Sequence, residues 1–340
     1  IIDLILNDIK KDLLNLNVTH DNFVSEKHIS SLENINTLKD KLLKLELAYF
    51  GFQEKPKNIS NEYWEQKKQL LFCSKKFGDD SDRTLMKPSG EITYFMSDLL
   101  YHTNKIKRKF EVLINIWGVD HFGYVKRLKS ALSKIVKDDY KLDIKLTSMV
   151  NLIKKGEKLK MSKRSGNYIT LREVTKEVGA DALRFMMISR NADKTIDFDF
   201  DSLKNKNKDN PVFYVQYAYA RCMSILDVSK EKIKEIEKDD FKLDFLTLNE
   251  EKMLIKYICN FYNVIKSSAE YFEPHRITNY LYDISKIFHN YWGLGNIDKK
   301  KRIITEDDDL TKSRLVLTRV VSKTINKGLS LLKISSPKSM

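Results

Sequence analysis

The run Val112-Leu113-Ile114-Asn115-Ile116-Trp117, closing on Gly118, constrains the fold of this 340-residue chain more than any other segment. A short, near-continuous apolar run bounded by glycine reads as a strand buried on both faces of a parallel sheet. Directly after it, Val125, Leu128, Leu132 and Ile135 recur at helical spacing. Strand, tight turn and amphipathic helix in that order make half of a βαβ unit. Met149 to Ile153 predicts a second buried strand, and Thr170 with Glu173 forms the T-x-x-E arrangement that opens a helix as a capping box.

Elsewhere the pattern is mostly helical. Ile5, Ile9 and Leu13, then Leu38, Leu42, Leu45 and Tyr49, predict helices across the first 50 residues. Residues 51–65 read as a loop, residues 69–74 as a short strand and Phe77 to Arg83 as a polar turn. From Asn205 to Asn210 the chain holds only Asn, Lys and Asp before Pro211, which marks the best linker; beyond it everything reads as helix, with an acidic loop at Glu306 to Asp309. The expected fold class is α/β followed by all-α.

Composition excludes several alternatives. With 42% hydrophobic residues the chain can fill globular cores, and its length favours two domains at roughly 150 residues each. No stretch approaches the roughly 18 apolar residues of a membrane helix, so a soluble protein is expected. Cys73, Cys222 and Cys259 lie far apart without a C-x-x-C, which supports neither a disulfide framework nor a zinc site and fits a reducing cytosol. The formal net charge is +14, yet residues 1–92 carry net −1, residues 93–205 net +9 and residues 206–340 net +6. Compositional bias spreads charge, whereas a partner surface concentrates it. The chain begins with Ile1, followed by a mixed-charge amphipathic segment, and is read as a piece of something longer.

Three constellations carry chemistry. Gly118-Val119-Asp120-His121 sits at the carboxyl end of the predicted central strand, where open parallel sheets bind ligands and a carboxylate can take two ribose hydroxyls. The same string serves equally as an ordinary βα turn in which Asp120 caps the next helix. Lys160-Met161-Ser162-Lys163 places two lysines three apart in a glycine-flanked loop, suited to a polyphosphate whose charge must be stabilised as a bond breaks; a P-loop is absent. Tyr94, Asp98 and Tyr101, at i, i+4 and i+7, share one helical face. A carboxylate flanked by aromatic rings suits a guanidinium ligand, although two packing tyrosines and a surface acid read the same way.

These strings, in order, carry a resemblance. T-Y-F-M-S-D-L-L-Y-H (93–102), I-N-I-W-G-V-D-H-F-G-Y-V (114–125), K-M-S-K-R-S-G-N (160–167), G-A-D-A-L-R-F (179–185) and N-P-V-F-Y-V-Q-Y-A-Y-A-R (210–221) together resemble the bacterial arginyl-tRNA synthetase family, as do residues 77–83 and 334–340. The resemblance implies the second half of a class I Rossmann-type catalytic domain followed by a helical-bundle anticodon-binding domain. It implies borders at 1–75 for a helical insertion, 76–205 for the catalytic half with its connector, and 206–340 for the anticodon-binding domain.

By the same resemblance Lys160 and Lys163 are catalytic, stabilising pyrophosphate as the arginine carboxylate attacks the α-phosphate of ATP. Arg164 stands where the usual signature has serine. Gly118, Asp120, His121, Met161 and Ser162 would bind ATP, and Tyr94 with Asp98 would hold the guanidinium of L-arginine. Tyr214, Tyr217 and Arg221, with Gln216 beside them and Met340 at the end, are the expected tRNA anticodon residues, since aromatic and guanidinium planes stack on splayed bases. The implied partners are tRNA(Arg), arginine and ATP with its Mg2+, for a cytoplasmic monomer that has no structural metal and no membrane contact.

One departure is an absence. None of His20, His28, His102, His121, His275 and His289 lies in an H-x-G-H string, the family's other ATP signature. Residues 1–340 are therefore expected not to aminoacylate alone. The alternatives are a non-catalytic tRNA-binding module and a sister class I enzyme such as the cysteine one, whose zinc ligands the cysteine spacing does not supply.

Overall fold

The computed structural model describes residues 1–53, 67–137, 139–159, 161, 168–205, 207, 209–236 and 243–340. The elements run α1 (Ile2–Asn15), α2 (Glu26–Ile29), α3 (Leu32–Lys44), β1 (Ala48–Phe52), β2 (Lys68–Phe72), β3 (Arg83–Met86), α4 (Tyr94–Lys107), β4 (Val112–Gly118), α5 (Phe122–Ile135) and β5 (Lys141–Thr147). They continue with β6 (Val150–Lys154), β7 (Glu157–Lys158), α6 (Leu171–Val178), α7 (Ala180–Met187), β8 (Ile196–Asp199) and α8 (Phe200–Lys204). Five helices follow: α9 (Pro211–Val228), α10 (Lys230–Ile236), α11 (Asn249–Tyr271), α12 (His275–Ile297) and α13 (Asp308–Leu331). By internal contact they form two compact units, His20–Ser148 and Ile1–Thr19 with Met149–Met340.

In the first unit β4 and β5 pair in parallel from Val112↔Lys141 to Gly118↔Thr147. Parallel neighbours need a long crossover, and α5 supplies it, burying Leu128, Ala131, Leu132 and Ile135 along the predicted stripe. These side chains share a core with Leu42, Phe72, Met96 and Leu99. The expectation that β4 is buried on both faces fails. Leu113 and Asn115 are buried, but Val112, Ile114 and Ile116 are 43%, 39% and 71% exposed. A continuous apolar run has no period of its own, and among the described residues one face of the pair is packed.

The early helical reading holds through α3, where Leu38 and Leu42 are buried. It then ends sooner than expected, because Ala48–Phe52 pairs antiparallel with β2, and β2 with β3. Leu45 and Tyr49 consequently lie outside the helix, and Gly51 with Phe52, expected in a loop, belongs to β1. The rest of that expected loop, from residue 54, lies outside the described residues.

The second unit has its own parallel pair, β6 with β8, registered from Val150↔Ile196 to Ile153↔Asp199 and bridged by α6 and α7. The predicted capping box opens α6: Glu173 N–H donates to Thr170 Oγ1 at 3.2 Å, and Thr170 N–H donates to Glu173 Oε2 at 2.7 Å. The expected linker is anchored at its end. Asn210 is buried, accepts from the Phe213 N–H to cap α9, and donates to the Leu203 carbonyl at 2.7 Å. The helices α9 to α13 close over Val215, Cys222, Leu281, Phe288 and Val321. At Gly328 a Cβ would stand 2.6 Å from Leu281, so α13 and α12 approach where only glycine fits.

A buried charge pair ties this bundle together. Arg314 donates to Glu251 Oε1 at 2.7 Å and to the carbonyls of Lys300 and Arg302, while Tyr291 O–H and Leu248 N–H also donate to the Glu251 carboxylate. Removing one partner strands the other charge in a dry interior. Glu251→Ala is expected to lower unfolding free energy by about 3–5 kcal/mol in chemical denaturation.

Candidate functional site

At the turn after β4, Gly118 keeps an ordinary φ of −66°, and the Asp120 carboxylate folds back over its open face. Asp120 makes no cap to α5, and its carboxylate is 80% exposed. His121 Nε2 lies 3.7 Å from Asp120 Oδ2, and its ring lies 6.0 Å from that of Trp117. Thr147, at the matching end of β5, donates Oγ1–H to the Trp117 carbonyl at 3.1 Å. An exposed acid thus stands at the carboxyl ends of two parallel strands, where such sheets bind ligands.

Tyr94 and Asp98 occupy one face of α4, as their spacing predicts. Tyr94 is 87% exposed, whereas Asp98 is half-buried. Asp98 Oδ2 accepts the Tyr124 O–H at 2.7 Å, a partner on α5 that no spacing rule could indicate. Tyr101 packs into the core with its ring against His102.

Beneath them runs a polar chain whose proton positions follow from chemistry. Lys105 can only donate, so Asn115 Oδ1 accepts at 2.8 Å and Asn115 Nδ2 donates to His102 Nε2 at 2.7 Å. His102 Nδ1–H is then left to donate to the Asp98 carbonyl at 2.7 Å. His102 is buried and neutral, and burial holds its pKa below the usual imidazole value.

Of the phosphate-loop residues, Met161 is half-exposed, and Lys160, Ser162, Lys163 and Arg164 lie outside the described residues. The hairpin that leads toward them turns at Lys155 and Gly156, both at positive φ, as a two-residue hairpin turn requires.

In the second unit Tyr214, Tyr217 and Arg221 come together on α9, and α12 contributes His289, Trp292 and Tyr282. The Arg221 guanidinium lies 4.3 Å from the Tyr217 ring centroid and 3.9 Å from that of Trp292. Tyr214 packs against His289 and Tyr282 at 4.5 and 5.2 Å. Arg221 must donate, so His289 Nδ1 accepts at 3.1 Å and its Nε2–H donates to the Tyr214 carbonyl. Burial, with Arg221 adding to it, holds the His289 pKa down.

Gln216 does not join this face. Two residues from Tyr214 on a helix, it points the other way, is buried, and donates to Asp181 Oδ2 and the Ser335 carbonyl, each at 2.9 Å. Asp181 also takes Ser335 N–H and Oγ–H, and Arg184 donates to the Leu332 and Leu16 carbonyls. The D-A-L-R string is thus a clamp on the chain's last residues. Met340 is half-exposed beyond that clamp.

Comparison with known proteins matches two stretches of the chain. Residues 88–201 match the family of tRNA synthetases class I (I, L, M and V), and residues 215–340 match the DALR anticodon binding domain. Fold and family matches together define part of a class I aminoacyl-tRNA synthetase with its helical anticodon-binding domain. The arginine–tRNA ligase of Pelagibacter ubique is 41% identical over 98% of this chain and 57% of its own length. That of Wolbachia from Culex pipiens is 43% identical over 99% of this chain and 58% of its own. A Campylobacter jejuni chain, solved as a provisionally assigned arginyl-tRNA synthetase, superposes with a TM-score of 0.83 at 28% identity, covering 99% of this chain and 68% of that one. The chain belongs to the arginyl-tRNA synthetase family. It spans somewhat under six-tenths of the length of the curated relatives named here. Among the described residues no helix is long and apolar enough to cross a membrane, and no group of three or more His, Cys, Asp or Glu could hold a metal ion.

Because His102 and His289 titrate below the free value of 6.5, the unfolded chain takes up protons before the folded one does as pH falls. Their contribution is complete above 6.5 and is lost as pH drops through the lowered values. Denaturation midpoints should therefore fall from pH about 7.5 to pH about 5.5. His289→Gln should make the fall shallower.

Proposed function

We propose that these residues serve an arginine–tRNA ligase that forms arginyl-adenylate from L-arginine and ATP and passes the arginine to the terminal adenosine of tRNA(Arg). The observation that carries this reading is Asp98. One carboxylate oxygen is committed to Tyr124, and the other takes no hydrogen bond among the described residues, on a helix face that also presents the exposed ring of Tyr94. A carboxylate beside an aromatic face suits a guanidinium. Asp120, with Gly118 and His121, would receive the ribose and adenine. Met161 and Ser162 would contact ATP, and Lys160 and Lys163 would stabilise the pyrophosphate that leaves as the substrate carboxylate attacks. Mg2+ would arrive with ATP as its counter-ion.

No protein nucleophile is needed for either step, because positioning and charge stabilisation suffice. Tyr214, Tyr217 and Arg221 form a platform of ring and guanidinium planes suited to anticodon bases, with Met340 adding an apolar contact. The internal commitments of Gln216 support a structural role for it instead. We assign residues 1–75 to an insertion, 76–205 to the catalytic half and 206–340 to the anticodon-binding domain of a cytoplasmic monomer.

In the complete gene product, ATP–pyrophosphate exchange is expected to require arginine and tRNA together. Exchange that favours another amino acid, or ignores tRNA, would sink the assignment. Asp98→Ala should abolish arginine use while leaving tRNA binding nearly intact. Arg221→Ala should do the reverse, weakening tRNA binding by roughly tenfold or more, the equivalent of one stacked base.

A further inference from the structure

Resting on the reading of Asp98 as the guanidinium acceptor, we propose that Tyr124 is a positioning residue for arginine, fixing the Asp98 carboxylate through a side-chain chain anchored at Asp79. The residues come from the polar turn Phe77 to Arg83 and from α5, neither of which has a role in the reaction as described above.

The chain runs through four side chains. Tyr124 O–H donates to Asp98 Oδ2 at 2.7 Å. The Tyr124 ring is held on three sides: the Phe95 ring meets it edge-on at 5.7 Å, Trp117 lies at 5.5 Å, and the Arg127 guanidinium stands 5.5 Å from its centroid. Arg127 is fixed in turn by Asp79, whose Oδ2 accepts from its Nε at 2.6 Å. Arg83 grips the same carboxylate with two nitrogens, Nε to Oδ2 at 3.1 Å and Nη2 to Oδ1 at 2.7 Å. Burial opposes ionisation of Asp79, yet the hydrogen bonds from Arg83 and Arg127 outweigh it and hold the group well below the usual carboxylate range. Burial and the facing Asp98 charge push the Tyr124 phenol far up, so it stays a donor at any working pH.

The consequence for Asp98 is orientation. A half-buried aspartate with both oxygens free can rotate about its terminal torsion, and ordering it would cost part of the binding free energy. With Oδ2 tied to a boxed phenol, the carboxylate plane is set before substrate arrives, and Oδ1 remains for a guanidinium N–H. Charge-assisted pairing of this kind depends on planar alignment as well as distance.

The test uses the complete gene product and steady-state pyrophosphate exchange with Tyr124→Phe, Asp98→Asn and the double variant, with thermal melts of each. The expected result for Tyr124→Phe is an arginine KM raised roughly tenfold, the equivalent of one hydrogen bond to a charged group, with kcat and the ATP KM within about twofold. In the Asp98→Asn background the same change should add nothing to arginine KM. Equal losses for arginine and ATP, or an undiminished loss in that background, would reduce Tyr124 to a packing residue. An unchanged arginine KM in Tyr124→Phe, with Asp98→Asn impaired, overturns the positioning role and leaves the guanidinium assignment standing. An unimpaired Asp98→Asn overturns both.

Discussion

Parallel pairing of strands close in the sequence is the constraint from which the rest of the structure follows. Such strands cannot be joined by a hairpin, so the chain must leave the sheet and return over one face. Each compact unit contains one such pair, β4 with β5 and β6 with β8. Each crossover does two jobs. The buried stripe of α5 holds the parallel pair to its core, and its other residues, Tyr124 and Arg127, reach Asp98 and Asp79. Likewise α7 buries Leu183 and Phe185 while Asp181 and Arg184 hold the segment from Leu332 to Ser335. Packing and site support are therefore borne by the same short helices, and Tyr124 lies on the core-facing stripe itself.

Several polar side chains that the packing takes out of water fix one another's orientation. Lys105 decides which way the Asn115 amide faces, and the amide decides the tautomer of His102. Arg221 decides the tautomer of His289 in the same way. A neutral imidazole that must accept on one nitrogen and donate on the other has a single satisfactory arrangement, so such chains specify geometry more than they add stability. The pair Glu251 and Arg314 follows this logic at higher stakes, since an unpaired charge at that depth is costly.

Features confined to one element were legible in the sequence. The α5 stripe, the Thr170 capping box and the shared face of Tyr94 with Asp98 all depend on local period or spacing, and all appear in the structure. The class of fold was legible for the same reason, since it rests on the order of such elements. Whatever depends on a second element was not. Tyr124 is 26 positions from Asp98, and His289 is 68 from Arg221, separations to which no periodicity extends. The exposed face of β4 is not legible, because a run without alternation does not reveal how many layers cover it. Gln216 shares a string with its aromatic neighbours but not their face, since two residues along a helix turn a side chain by about 200°. Asn210 has the composition of a linker, yet the same amide that disfavours a helix interior makes a strong cap.

The stack of Tyr217, Arg221 and Trp292 shows why a planar cation suits this position better than a point charge. A lysine beside these two rings would keep its rotatable ammonium and its strong hydration, and ordering it there would require stripping water from it. Here the guanidinium is less strongly hydrated, stands 4.3 and 3.9 Å from two ring centroids and has its orientation set by hydrogen bonds to Tyr217 and His289. Lysine outnumbers arginine 49 to 12 in this chain, so the composition alone favours lysine at any basic position. Arginine at 221, against that bias, is accounted for by geometry: two neighbouring rings and two fixed acceptors suit a rigid plane of N–H donors.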